Sequence, residues 1–153
     1  MKENNVNVKN NFKKAISIFL VLILVLGCVL TNGQKVSAKT TALTTCLMKK
    51  SNSLYSDYVR DGFAVAYKAT LKSKSIVING SLTNASTGKR SKIGKHTYKL
   101  SNSVKYISSG GEGSDQKYTK KAFIKYLAKC DNSGLGLVLT LNNGKVTKID
   151  LCS

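Results

Sequence analysis

The chain has 153 residues, and 25 Lys plus Arg stand against seven Asp plus Glu, which gives a formal net charge of +18. This length allows one ordinary domain and excludes a two-domain enzyme with a separate cofactor domain. The chain has one histidine and no proline. These counts exclude catalysis by several histidines and exclude proline-rich or collagen-like structure.

The first 38 residues have the three parts of an export signal. A lysine-rich start is followed by an uncharged apolar stretch at 15–30, and Val36-Ser37-Ala38 resembles a cleavage site. A helix over the apolar stretch spans about 24 Å, less than the roughly 30 Å of a membrane core. We therefore expect a signal peptide at 1–38 and a secreted or cell-surface domain at 39–153, in a bacterial setting. An uncleaved membrane anchor is an alternative, and so is a lipoprotein at Cys28, because 25–28 resembles a lipobox.

The next segments change from helical to strand periodicity. Apolar pairs at 41–60 predict a helix or broken helix, with Ser53 as a cap and Gly62 as its end. Alternation predicts strands at 63–71 and 76–82, joined by a turn at 72–74. A polar loop at 83–94 precedes a strand from His96 and a possible fourth at 104–107, and 108–115 reads as a glycine-rich loop.

The clearest predicted helix begins at a Thr119 cap and buries the face that ends at Cys130. Alternating leucines at 135–141 predict a strand, and Asn143-Gly144 predicts a hairpin into a last strand at 145–152. The expected fold class is α+β. It is a small, mostly antiparallel sheet or partly open barrel, with a helix before the C-terminal hairpin and another helix at the N-terminus. The order of elements at 63–152 is that of an oligonucleotide/oligosaccharide-binding barrel, an analogy of order alone.

Three cysteines remain in residues 39–153, at 46, 130 and 152. Export favours disulfides. We expect a Cys130–Cys152 bond, since the helix end and the last strand should pack together. The pairings 46–130 and 46–152 stay open. No metal site is expected, because no close cluster of Cys and His occurs.

The charge distribution is the most informative feature of the sequence. Residues 62–111 contain no acid and nine basic side chains, and the segment that follows Asp115 as far as Cys130 is again free of acids. Such clustering opposes the compact state unless an anionic partner offsets it. Scarce arginine argues against sequence-specific nucleic-acid recognition. The expected binding residues are Lys89, Arg90, Lys92, Lys95, Lys99, Lys117, Lys121, Lys125 and Lys129.

These observations predict a non-catalytic exported module whose lysine-rich face binds an anionic cell-surface polymer or an acidic membrane. No cofactor is expected. A secreted antimicrobial or toxin-like protein that attacks anionic membranes is the first alternative. A small hydrolase that uses Glu112 or Asp115 with His96 is the second. A packed, partly exposed structural histidine is the simpler interpretation of His96.

Overall fold

The structure, a computed structural model, describes residues 39–110 and 115–153. The predicted signal peptide at 1–38 and the candidate acid Glu112 lie outside these residues. The described chain is 52% strand and 14% helix, and its strands close into a six-stranded β-barrel with two short helices. The expected α+β fold with an N-terminal helix is therefore wrong: the architecture is mainly β, and the barrel is closed.

The helices are short, and eight strands account for most of the described chain. In chain order the elements are β1 Thr40–Leu47, α1 Tyr55–Arg60, β2 Val65–Leu71, β3 Ser75–Gly80, β4 Thr83–Asn84, β5 Gly94–Ser109, β6 Gln116–Tyr118, α2 Lys120–Lys129, β7 Gly136–Asn142 and β8 Lys145–Cys152.

The barrel wall follows the order β2-β3-β5-β8-β7-β1 and closes where β1 pairs with β2. The β1–β2 and β5–β8 pairs are parallel, and the other four pairs of the wall are antiparallel. β4 and β6 lie outside this ring, on β1 and β5 respectively. Closure removes the free sheet edges that an open sheet would expose within the wall.

The segment at 40–47 is the main point at which the fold differs from the predicted helix. Its residues pair with β7 from Thr40 opposite Asn142 to Cys46 opposite Gly136. Leu47 is fully buried and Thr45 nearly so, which is an alternation with period two. Four threonines favour the strand, since β-branched residues fit an extended backbone. The helical part of the prediction is reduced to α1, which begins after Leu54 as its cap residue and not after Ser53.

The two strands predicted at 96–107 form one long strand, β5. Its first half pairs with β3, and its second half pairs with β8 after a shift of register between Leu100 and Lys105. Ser101, Asn102 and Ser103 occupy this irregularity and remain within the strand. The polar residues that indicated a break in the sequence thus mark the point at which the strand changes partner.

The predicted C-terminal elements are confirmed. The Thr119 hydroxyl accepts a hydrogen bond from the Ala122 amide at 3.2 Å and caps α2. Phe123 and Leu127 of α2 pack into the same core as Leu137, Leu139 and other buried barrel residues. At the β7–β8 turn, Asn143 and Gly144 have φ angles of 48° and 75°, as a tight hairpin turn requires.

Candidate functional site

An open groove of about 990 Å³ lies beside the middle of β5. Its most distinctive side chains are four lysines, Lys74, Lys99, Lys120 and Lys145. They come from the β2–β3 turn, from β5, from the start of α2 and from the start of β8. We call these four residues, with the lining segment 101–103, the lysine groove.

Strand register explains why residues so distant in sequence meet at this place. Ser75 at the start of β3 is the cross-strand partner of Lys99, and Val146 near the start of β8 is the partner of Leu100. Both hairpin turns therefore border the same point of β5. The amide of Leu100 also donates to the Lys74 carbonyl at 3.0 Å, which ties the first turn to the strand.

The first turn of α2 closes the groove on a third side. The ammonium group of Lys120 donates to the Ser73 carbonyl in the β2–β3 turn. Lys120 is partly buried, whereas Lys74, Lys99 and Lys145 are exposed. The bond therefore fixes one cation at the wall and leaves three ammonium groups accessible to a ligand.

Among residues 39–110 and 115–153, no carboxylate lines this groove. Its other polar side chains are hydroxyl and amide groups, among them Thr97, Ser101, Asn102 and Ser103. Four clustered positive charges create an attractive potential for anions, and neutral donors add hydrogen bonds to phosphate or carboxylate oxygens. The arrangement suits an anion with several charges along its length.

The tyrosines close to these lysines are held by packing. The Tyr106 ring lies 5.4 Å from the Phe123 ring, and Tyr118 stacks on Tyr126 at 5.2 Å between centroids. Burial raises the pKa of the Tyr106 and Tyr98 hydroxyls. These rings pack against the protein core, and Tyr106 and Tyr98 also line the groove and the smaller pocket respectively.

The binding residues predicted from sequence are distributed over three places. Lys99 lies in the lysine groove. Lys89 and Arg90 line a smaller pocket of about 230 Å³ beside Tyr98, and Lys92 and Lys95 are exposed close by in the chain. A third group is exposed on β6 and α2: Lys117, Lys121, Lys125 and Lys129.

Sequence reasoning missed Lys74, Lys120 and Lys145. Each is isolated from the others in the sequence, and two of them belong to short turns or their borders. No local cluster in the sequence indicates that these three lysines meet. The predicted turns at 72–74 and 143–144 give the one indication of their position, because they place Lys74 and Lys145 beside strand ends.

The three described cysteines are free thiols. Burial raises the pKa of each, and for Cys152 the nearby carboxylate of Asp150 adds to the effect. Cys46 and Cys152 are both cross-strand partners of Gly136, on opposite sides of β7. Two strand spacings separate their Cα atoms by roughly 9–10 Å, more than the 7 Å or so that a disulfide spans. The 46–152 pairing therefore does not fit the barrel, and the Cys130–Cys152 pairing stays a prediction.

His96 is half-buried, and its Nε2 atom lies 3.0 Å from the Lys92 carbonyl oxygen and 3.3 Å from the Ser91 hydroxyl. These contacts fit a packed, partly exposed structural histidine, which stays an interpretation. Asp115 precedes β6, which pairs with the far end of β5, so the structure does not bring Asp115 and His96 together. Among residues 39–110 and 115–153, no group of three potential metal ligands occurs.

Within the same described residues, neither helix is long and apolar enough to cross a membrane. Comparisons with protein-family models, with curated proteins and with solved structures found no match. Function is therefore inferred from the residues and charges of the site, because a fold alone does not determine function.

Proposed function

We propose that this protein is an exported, non-catalytic module that binds a phosphate-rich polymer of the cell surface through the lysine groove. The observation that carries the proposal is the meeting of four lysines from separate parts of the fold, with no carboxylate among the described residues of the lining. Each of these lysines adds to self-repulsion, so a bound polyanion would stabilise the folded state.

The composition of the groove favours one kind of polyanion. Lysine makes contacts with phosphate as a point charge, without the bidentate geometry that arginine brings to base recognition. Tyr106 is the one aromatic side chain among the described lining residues, and its ring packs against Phe123, so base stacking in the groove would involve a single ring. A chain of polyol or sugar units joined by phosphodiesters supplies repeated charge and hydroxyl groups, which match the lysines and the hydroxyl donors.

The test compares two variants that lose the same charge. Lys74→Gln, Lys99→Gln and Lys145→Gln together remove the three accessible groove cations. Lys117→Gln, Lys121→Gln and Lys125→Gln remove three exposed cations from β6 and α2. Binding to poly(glycerol phosphate) is measured by calorimetry at low salt. We expect a loss of tenfold or more in the groove variant and less than about threefold in the control, because only direct phosphate contacts release condensed ions.

Equal losses in both variants would contradict the groove as the binding site and would indicate diffuse attraction to the whole charge. Two further probes separate the alternatives. Tighter binding of single-stranded DNA than of poly(glycerol phosphate) would contradict the proposed polymer class. Dye release from acidic liposomes would favour the toxin-like function over a binding module.

A further inference from the structure

A second surface lies at the other end of the β2–β3–β5 sheet and combines exposed apolar and basic side chains. Phe63 is 57% exposed and Ile93 is 58% exposed, which is more than Leu54 and Ile124, the other exposed large apolar residues of the described chain. Four exposed basic residues lie within four positions of Ile93 in the sequence: Lys89, Arg90, Lys92 and Lys95. We call these four residues, together with Phe63 and Ile93, the Phe63–Ile93 tip.

Register places the two apolar residues at the same end of the sheet. Ala66, Gly80 and Gly94 form one cross-strand row through β2, β3 and β5. Phe63 lies just before β2, and Ile93 lies immediately before β5. The row includes Gly80, with φ of 150°, where a Cβ atom would collide with the backbone of Val65 and Ala66. The β2 and β3 backbones are therefore unusually close here. Phe63 and Ile93 precede β2 and β5, the two strands that flank β3.

Hydrogen bonds hold the loop that carries the cations of the tip. The Arg90 guanidinium donates to the Phe63 carbonyl at 3.1 Å. The Ser91 amide donates to the Leu82 carbonyl at 2.8 Å, and the Ser91 hydroxyl accepts from the Leu82 amide at 3.0 Å. The Lys92 carbonyl is in contact with His96, as described above. Ile93 and three of the four cations are thus presented on an ordered loop, and Lys95 is presented on β5, so little ordering entropy would be lost on binding.

The acidic groups near the tip are partly offset by one arginine. Asp57 and Asp61 of the α1 region both form ion pairs with Arg60, at 3.1 and 3.3 Å. The Tyr58 ring of α1 lies 5.3 Å from the Phe63 ring and supports it from one side. The four cations of the tip exceed the one negative charge that Arg60 leaves over, so this end of the sheet keeps a net positive charge.

We propose that the Phe63–Ile93 tip docks on an acidic lipid bilayer, with Phe63 and Ile93 in the interface and the four cations at the lipid phosphates. Exposed aromatic and aliphatic residues among basic residues are the pattern of peripheral membrane contact. Charge complementarity favours an anionic bilayer over a neutral one, since each basic residue near such a surface adds attraction. This contact is separate from the lysine groove and does not depend on the proposed polymer.

The experiment measures co-sedimentation with vesicles of phosphatidylglycerol and phosphatidylcholine, and with pure phosphatidylcholine. The key pair is Ile93→Ala and Ile124→Ala, which remove the same atoms from two exposed isoleucines. We expect Ile93→Ala to lower partition into the acidic vesicles about fivefold to tenfold and Ile124→Ala to leave it unchanged. Phe63→Ala should lower partition further, provided that circular dichroism shows an unchanged fold. The variant Lys74→Gln/Lys99→Gln/Lys145→Gln should partition into acidic vesicles at least as strongly as the variant Lys117→Gln/Lys121→Gln/Lys125→Gln.

Three results would overturn the proposal. One is equal vesicle binding by Ile93→Ala and the unmodified protein. Another is equal loss in Ile93→Ala and Ile124→Ala. The third is equal binding to neutral and acidic vesicles. None of them depends on whether poly(glycerol phosphate) binds the groove, so this proposal and the proposed function fail separately.

Discussion

The lysine groove and the Phe63–Ile93 tip lie along the first half of the same strand, with Lys99 at one end of it and Lys95 at the other. Both are basic, but only the tip exposes large apolar side chains. In the groove, the apolar lining residues Leu100 and Val104 are partly buried. The same excess of lysine can therefore support two kinds of attraction, one mainly electrostatic and one that also removes large exposed apolar side chains from water.

The largest expected effect concerns the core that both surfaces share. Phe123 is fully buried, and its neighbour Ile124 is 41% exposed. Phe123→Ala should lower the free energy of unfolding by about 3–5 kcal/mol, because it removes a large side chain from packed surroundings. Ile124→Ala should change it by less than about 0.5 kcal/mol. Urea unfolding followed by circular dichroism measures both.

If Phe123→Ala loses both polymer binding and vesicle binding, the two surfaces depend on the same packed core. If this variant unfolds at the same urea concentration as the unmodified protein, the placement of α2 against the barrel core is wrong.

Salt should separate the two surfaces. Binding of poly(glycerol phosphate) should fall steeply, with a slope of about −2 in log affinity against log salt for phosphate contacts to the three accessible lysines. That slope is a loss of roughly twentyfold between 50 and 200 mM salt. Vesicle binding should fall less, since the contribution of Phe63 and Ile93 does not depend on screening. Equal slopes for the two ligands would contradict the distinction between groove and tip.

A smaller effect is expected at the loop that forms the tip. His96→Ala removes the ring that contacts the Lys92 carbonyl. Losing one hydrogen bond of about 1 kcal/mol should loosen the loop and weaken vesicle binding a few-fold, while polymer binding stays the same. Hydrogen exchange at 89–93 provides a direct readout, and unchanged exchange there would show that His96 does not order the loop.

The smallest expected effect is a loss of stability at alkaline pH that affects both surfaces alike. Burial raises the pKa of Tyr106 beside the groove, of Tyr98 near the tip and of the three thiols. The folded state thus favours their neutral forms. This stabilisation is complete below the ordinary values of 9.0 for Cys and 10.0 for Tyr, and it is lost as pH rises through the raised values. The urea midpoint should therefore fall above about pH 9. A midpoint that rises there would contradict the sign.

The sequence predicts local elements of this fold better than it predicts their assembly. The capped helix from Thr119 and the Asn143-Gly144 hairpin depend on neighbouring residues, and both are present. The strand at 40–47 has apolar residues that fit either period, and its pairing with β7 decides the outcome. Barrel closure depends on the parallel β1–β2 contact, for which no local pattern exists.

The candidate site illustrates the same limit. The lysines clustered in sequence at 89–95 and 117–129 are easy to see, and the structure spreads them over separate surfaces. Lys74, Lys120 and Lys145 meet only because two hairpin turns and one helix start border the middle of β5. Register between distant strands is the information that the sequence does not display.

The central claim, that the groove is the polyanion site, is tested most directly by a titration with poly(glycerol phosphate) followed by amide chemical shifts. The account predicts that the largest changes occur at Lys74, Lys99, Lys145 and residues 101–103, with little change at Lys121 and Lys125. Changes of similar size at all exposed lysines, or the largest changes on α2, would contradict it.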